Sequence, residues 1–228
     1  MSYRVGIIGC GGMGHSHAKA WGQREDTDVV AAMDISQEAA QRLAEEHSVP
    51  ATYTDYDEML AKEELDIVSI PTWQGARAAP TIAAAKAGVK AILGEKPMAD
   101  NLGNADDMIA ACDEHGVKLA IGHHRRFIPT PNEIRRLVAD GAIGLPLHII
   151  AKGGQGLLND CSHYLDMMRY VLDANAVWVM GNVERKTDRL ERGVRIEDRS
   201  HGLIQFDNGC LGLLLQELQE RNYPGRTF

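Results

Sequence analysis

Cysteine is sparse in this chain: Cys10, Cys112, Cys161 and Cys210 lie far apart and form no CxxC pair. Such spacing fits free thiols in a reducing, cytoplasmic setting. Positive charge is also short. Against 32 Asp and Glu stand 24 Lys and Arg, a net charge of -8 over 228 residues. That balance argues against nucleic acid or an anionic membrane as the main partner, since both need a basic surface. No run approaches the ~20 apolar residues of a membrane span. The N-terminus leads straight into a strand pattern, so no signal peptide is expected. There is no GxSxG segment and no reactive-cysteine signature.

What is present is a rhythm. Over residues 1–122 the runs "YRVGIIG", "DVVAAMD", "LDIVSIPT", "VKAILGE" and "VKLAIGH" alternate with helical patterns. The runs are almost continuously apolar, as parallel strands covered on both faces must be. One helix follows Ser36 as N-cap and turns Ala39, Ala40, Leu43 and Ala44 to one side. Another follows Asn104, carries Met108, Ala111 and Cys112, and stops at Gly116. Short links between β and α predict a doubly wound parallel sheet. After "HHRRFIPTP" the rhythm changes to a basic helix, "NEIRRLVADGAIG", a strand, "PLHIIAKGG", and a helix over about 157–172. The strands "AVWVMGNVER", "HGLIQFD" and "CLGLLLQEL" follow, the last two joined by a "DNG" hairpin turn. This predicts a second, α+β domain, residues 123–228, with an open, mostly antiparallel sheet.

Four glycines crowd into six residues after the first strand, as Gly9-Cys10-Gly11-Gly12-Met13-Gly14. In the spacing GxGxxG the first glycine permits the turn, the second lets backbone approach a diphosphate, and the third lets helix and strand pack closely. The helix N-terminus adds free N–H groups and partial positive charge. Asp34, twenty residues after Gly14, ends the next strand. A carboxylate there suits the hydroxyls of an adenosine ribose and repels a 2′-phosphate. Ile35, Ser36 and Gln37 offer no compensating cation, so NAD is expected rather than NADP. A glycine-rich first loop alone is also used by methyltransferases that bind S-adenosylmethionine, and a strand-end Asp can be a plain turn cap.

A later strand ends in Glu95-Lys96-Pro97. Ligands of open α/β sheets bind at the carboxyl ends of strands, which is where this lysine is expected. Together, "GIIGCGGMG", Asp34, "AAAKAGVKAILGEKP", "HHRRF" and "LLNDCSHYLDMMRYV" resemble the glucose-fructose oxidoreductase/inositol 2-dehydrogenase/MocA family over nearly the whole chain. The resemblance implies an N-terminal Rossmann domain and a C-terminal α/β domain whose sheet often makes homodimers or homotetramers. It implies NAD(P)-dependent hydride transfer at a sugar or cyclitol carbon. The family's EKP lysine and a helix-borne histidine flank the substrate hydroxyl; here they correspond to Lys96 and His163. Cofactor contacts are expected from Gly9, Gly11, Gly12, Met13, Gly14, Asp34, Glu95 and Lys96.

The chain departs from the family in three places. Four residues before His163 stands Asn159 where Asp is usual, with Asp160 next to it. On an α-helix either could accompany His163. Asn can hold a hydroxyl but cannot take its proton. Some sugar-nucleotide-oxidising relatives tolerate Asn there. In "PTWQGARAAP", Arg77 stands where the family often has His, which leaves the substrate open. The second domain is also shorter than usual; a compact member, a truncated chain and an incomplete sequence all remain open. A non-catalytic NAD-binding regulatory or assembly protein of the same fold is the alternative function.

The helix carrying His163 predicts an apolar stripe of Leu158, Cys161, Leu165, Met168 and Leu172, with Asp166 and Tyr170 solvated or structural. Trp73 is expected to pack or else to line the nicotinamide pocket, and His123, His124, Arg125 and Arg126 to form a hinge or to face a ligand. His15 and His17, two apart on a helix, do not share a face, so no metal site is assigned.

Overall fold

The computed structural model describes residues 2–154, 156–191 and 194–217. The chain divides after Gly122 into two compact units.

In the first unit, strands β1 (Tyr3–Ile8), β2 (Thr27–Met33), β3 (Ala51–Tyr53), β4 (Ile67–Ile70), β5 (Ala91–Gly94) and β6 (Lys118–Ile121) form one sheet. Their order is β3-β2-β1-β4-β5-β6 and every pairing is parallel. Side chains alternate across a strand, and the two faces of the sheet bury separate cores. Val5 and Ile7 of β1 and Ala32 of β2 pack with Ala18, Ala40 and Leu43. Ile8, Ala31, Met33, Val68, Ile70 and Ile92 pack with Met59, Ala84 and Cys112 on the other face. The helices supplying these residues are α1 (Gly12–Gly22), α2 (Gln37–His47), α3 (Tyr56–Lys62), α4 (Ala78–Lys86) and α5 (Leu102–Glu114). Ser36 caps α2 through its hydroxyl, which accepts from Ala39 N at 3.3 Å. α5 begins three residues earlier than its pattern suggested: Asn101, not Asn104, is the cap, and its side chain accepts from Asn104 N at 2.9 Å. β3 was absent from the sequence reading, since three partly buried residues make no run.

The chain reverses direction across the sheet between β1 and β4. Loops at the carboxyl ends of these neighbours splay apart at such a switch point, and ligands of doubly wound sheets bind there.

The second unit starts with a 3₁₀ turn, His124–Phe127, and α6 (Pro129–Ala139). Strand β7 (His148–Gly153) leads to a π turn, Leu157–Cys161, and then α7 (Ser162–Leu172). Next come β8 (Ala176–Glu184), the short pair β9 (Leu190–Glu191) and β10 (Val194–Arg195), β11 (Arg199–Phe206) and β12 (Leu211–Glu217). The main sheet runs β7-β12-β11-β8 and is mixed: β8–β11 and β11–β12 are antiparallel, whereas β12–β7 is parallel. The hairpin turn forms at Asp207-Asn208-Gly209, with Gly209 at φ +87° and its N–H donating to Phe206 O at 3.0 Å. Met168 and Leu172 of α7 pack on Ile204, Phe206 and Cys210. β8 lies beyond that cover, and its apolar side chains stay exposed. No helix among the described residues is long and apolar enough to cross a membrane.

Candidate functional site

The glycine turn connects β1 to α1, and two of its glycines are dictated by space. Gly9 sits at φ +105°, a region that favours glycine, and a Cβ there would lie 2.9 Å from Thr72 Cγ2. A Cβ on Gly14 would lie 2.2 Å from Gly9 O, so the first turn of α1 rests directly on the loop backbone. Gly14→Ala is expected to push α1 off the turn, cost about 1–3 kcal/mol by overpacking, and weaken dinucleotide binding. Melting and NAD titration check this. Gly11 and Gly12 face open space, with nothing within 4 Å of a would-be Cβ. Backbone is thus accessible at the start of α1, and Met13 beside it is half-exposed.

Asp34 follows β2 and braces the same turn. Its Oδ2 accepts from Cys10 N at 2.8 Å and its Oδ1 from Ser36 N at 2.9 Å. Each carboxylate oxygen retains lone-pair capacity for a further donor. Ile35, Ser36 and Gln37 beyond it are exposed and uncharged. Cys10 is buried, and its thiol donates to Met33 O at 3.3 Å. Burial, then the charge on Asp34, pushes this thiol up to about 12, so it is unreactive at neutral pH.

The EKP turn follows β5, and the Lys96–Pro97 bond is cis. Beneath it lies a buried polar network. His17 on α1 touches Ser69 Oγ at 2.7 Å through Nδ1 and Glu95 Oε1 at 3.2 Å through Nε2. Glu95 Oε2 accepts from Lys96 N at 3.3 Å. Gly122 admits the same carboxylate, since a Cβ there would stand 2.8 Å from Glu95 Oε1. Glu95 thereby shapes the turn that presents Lys96, which is itself half-buried.

Burial acts to raise the Glu95 carboxyl. The hydrogen bond and charge of His17, the Lys96 N–H and the charge of Arg77 outweigh it and hold the group below 4.5. A depressed carboxyl contributes stability that is present above its unfolded value and lost as pH falls through its folded value. The stability gap between the parent and Glu95→Gln is therefore expected to be widest above pH 4.5 and to close in acid. Denaturant melts across that range measure it.

Arg77 occupies the place where the resemblance leads one to expect His, and it is 1% exposed. Its guanidinium donates to the backbone carbonyls of Thr72, Glu95 and Pro97, and to Met98 O at 3.3 Å. It ties the loop after β4 to the loop after β5. Because it stands where the family often has His, sequence reasoning left Arg77 to the substrate question; its buried donors now assign it to architecture. Trp73, for which packing and a place lining the nicotinamide pocket are the two options, is half-exposed rather than packed away.

In the second unit, His163 is 5% exposed on α7, and its ring meets that of His124 edge-on at 5.1 Å. Asn159 lies in the π turn, whose Cys161 N–H reaches back to Gly156 O at 3.2 Å. The α-helical angles used to relate residue 159 to residue 163 therefore do not apply there. The turn is built by its neighbours. Glu197 accepts from Leu157 N, and a Cβ on Gly153 would meet Cys161 Sγ at 2.9 Å. Asp160 turns to Gly154 N at 3.3 Å and to Arg125 at 3.4 Å. On the polar side of α7, His163 and Asp166 are buried and Tyr170 partly so, which gives Asp166 the structural rather than the solvated role. Asp166 takes Arg126 Nε at 2.9 and 3.1 Å. Arg125 stacks over Tyr164 at 5.2 Å. The cations of "HHRRF" thus anchor α7. Among the predicted stripe residues, Cys161, Met168 and Leu172 are buried and Leu165 partly so, but Leu158 is exposed.

An open glycine turn braced by a strand-end acid, beside a lysine presented at the carboxyl end of β5, defines a dinucleotide-binding α/β protein of the Rossmann type. Residues 3–123 match the family model for the NAD-binding Rossmann fold of an oxidoreductase family, and residues 151–219 match that family's C-terminal alpha/beta domain. The chain belongs to the Gfo/Idh/MocA oxidoreductase family. It is 28% identical to D-apiose dehydrogenase of Paraburkholderia graminis over 93% of this chain and 60% of that one. It is 26% identical to myo-inositol 2-dehydrogenase of Thermotoga maritima, over 92% and 67%. The fold superposes on the crystal structure of myo-inositol dehydrogenase from Lactobacillus casei in complex with NAD(H) and myo-inositol. The TM-score is 0.80 at 23% identity, covering 96% of this chain and 68% of that one. The chain spans about three-fifths to two-thirds of the length of the first three of the curated relatives it matches.

Proposed function

We propose that this chain transfers a hydride between NAD and a secondary alcohol or ketone of a sugar, cyclitol or sugar derivative. The observation that carries the reading is Asp34. Its carboxylate is held by Cys10 N and Ser36 N at the rim of the open glycine turn, with no cation at residues 35–37. That arrangement favours a free ribose hydroxyl pair over a 2′-phosphate, hence NAD over NADP. The residues fit the cofactor. Main-chain N–H groups of the Gly9–Gly14 turn and the start of α1 would hold the diphosphate, and Asp34 the ribose. NAD, when bound, supplies the hydride acceptor.

The chain's own groups handle the proton. Lys96 holds the substrate oxygen and, as an ammonium, stabilises negative charge developing on it. His163 takes the hydroxyl proton in oxidation and returns it in reduction. Asn159 hydrogen-bonds the substrate without accepting its proton. The sugar and cyclitol dehydrogenases among its relatives support the substrate class.

The test is a screen of NAD and NADP with cyclitols, aldoses and sugar nucleotides, read as absorbance of the reduced cofactor. NAD-dependent turnover of a polyol is expected. NAD binding with no turnover across the panel would instead assign the non-catalytic role.

The proposal extends to assembly through the second unit's sheet. Val177, Val179 and Met180 of edge strand β8 are each more than 60% exposed. A long apolar edge needs cover, and a second copy supplies it. Sedimentation is expected to give a dimer or tetramer, and Val179→Lys to dissociate it; a monomeric parent would refute this.

A further inference from the structure

One side-chain cluster lies outside the redox machinery. His15, one residue past Gly14 on α1, meets the last turn of α2. His15 Nδ1 stands 3.2 Å from His47 Nε2 and 2.9 Å from Glu46 Oε2, and His47 Nε2 stands 3.7 Å from Glu46 Oε1. One ligand atom from each residue falls within 4.8 Å of the others.

With each ring's proton on its other nitrogen, His15 Nδ1, His47 Nε2 and the Glu46 carboxylate turn lone pairs toward one another, as a bound cation requires. The geometry also matches one. Metal–nitrogen and metal–oxygen distances of about 2.0–2.2 Å place tetrahedral ligands roughly 3.3–3.6 Å apart, close to the 3.2 Å between the two imidazole nitrogens, and the Glu46 carboxylate reaches them with Oε2 at 2.9 Å from His15 and Oε1 at 3.7 Å from His47. The rings are inclined at 56° with centroids 5.3 Å apart, so the two imidazoles are not stacked. His15 and His47 are 21% and 15% exposed whereas Glu46 is 60% exposed, which leaves water access for a fourth ligand. Finally, α2 ends at His47, and the C-terminal end of a helix dipole favours positive charge.

We propose that His15, Glu46 and His47 bind a divalent first-row transition ion of the zinc type. Two imidazole nitrogens select against magnesium and calcium, which prefer all-oxygen sites. The ion pins the first turns of α1 to the end of α2, joining residues 32 positions apart. The inference does not rest on the dehydrogenase reading. The sequence hid it, because the histidine nearest in the chain to His15 is His17, which turns inward to Glu95, and the true partner comes from another helix.

Zinc is the probe. Full-length chain stripped with a chelator is titrated with Zn2+ by calorimetry, alongside His15→Ala, His47→Ala and Glu46→Gln. One equivalent is expected for the parent, with affinity at least tenfold weaker in each histidine variant. Zinc is expected to raise the melting temperature of the parent and not of these variants. Circular dichroism confirms that the variants fold, and Glu46→Gln keeps the surface shape while removing the anionic ligand. Cobalt(II) is expected to give the visible absorption of a four-coordinate ion in the parent alone. A parent that takes up no zinc, or histidine variants that bind it as tightly as the parent, would overturn the site.

Discussion

Lys96→Met is expected to cut turnover roughly 10²–10⁴-fold, the range for loss of a group that moves a proton or stabilises an oxyanion. NAD affinity should stay within a few-fold of the parent. Met preserves the length of the side chain and removes only the ammonium. The turn beneath depends on Glu95, His17 and Arg77, none of which the substitution removes. The glycine turn and Asp34, proposed to hold the cofactor, belong to the loops after β1 and β2. Binding and turnover are therefore separable: fluorescence titration reports one, reduced-cofactor absorbance the other. Undiminished turnover would refute the role given to Lys96. Loss of both would mean that the lysine chiefly holds the cofactor.

Arg77→Met is expected to cost about 3–5 kcal/mol, the penalty for deleting one side of a buried charged network. The melting midpoint should fall on the order of 10 °C. Burial lowers the Arg77 guanidinium to about 10, with Glu95 pushing back, so it remains charged at neutral pH. Methionine fills much of the space but donates nothing, leaving the carbonyls of Thr72, Glu95, Pro97 and Met98 without their donor. Arg77→Lys keeps the charge and has three donors on one atom, which cannot span the same fork of carbonyls. It should recover part of the loss. Residues 95, 97 and 98 flank Lys96, so kcat should fall in Arg77→Met even below its melting range. A variant as stable as the parent would show that the clasp carries little energy.

Local patterns were legible, and long-range partners were not. The glycine turn, the Asp34 strand end and the Ser36 cap each declare themselves within a few residues, because a turn, an acid or a cap acts on its own neighbourhood. The polar face of α7 could not be judged that way. Asp166 is buried only because Arg126, forty positions upstream, meets it. His17 is fixed by Glu95, 78 positions away. The π turn at Leu157–Cys161 escaped for a related reason: its extra residue is set by Glu197 and Gly153 from outside the helix. A one-dimensional reading finds where chemistry begins, whereas the partners that bury and orient it are chosen by the sheet.

Anyone wishing to convert this chain to the phosphorylated coenzyme would begin by trimming the acid after β2 to a small neutral residue. That change would remove more than a repulsive charge. The amides of Cys10 and Ser36 would lose their acceptor, and the loop that must cradle either coenzyme would slacken. A successful swap would have to supply a cation further along the rim and keep an uncharged acceptor there, and asparagine, with one oxygen, can hold only one of the two amides. Selectivity and loop rigidity here hang on the same two oxygen atoms.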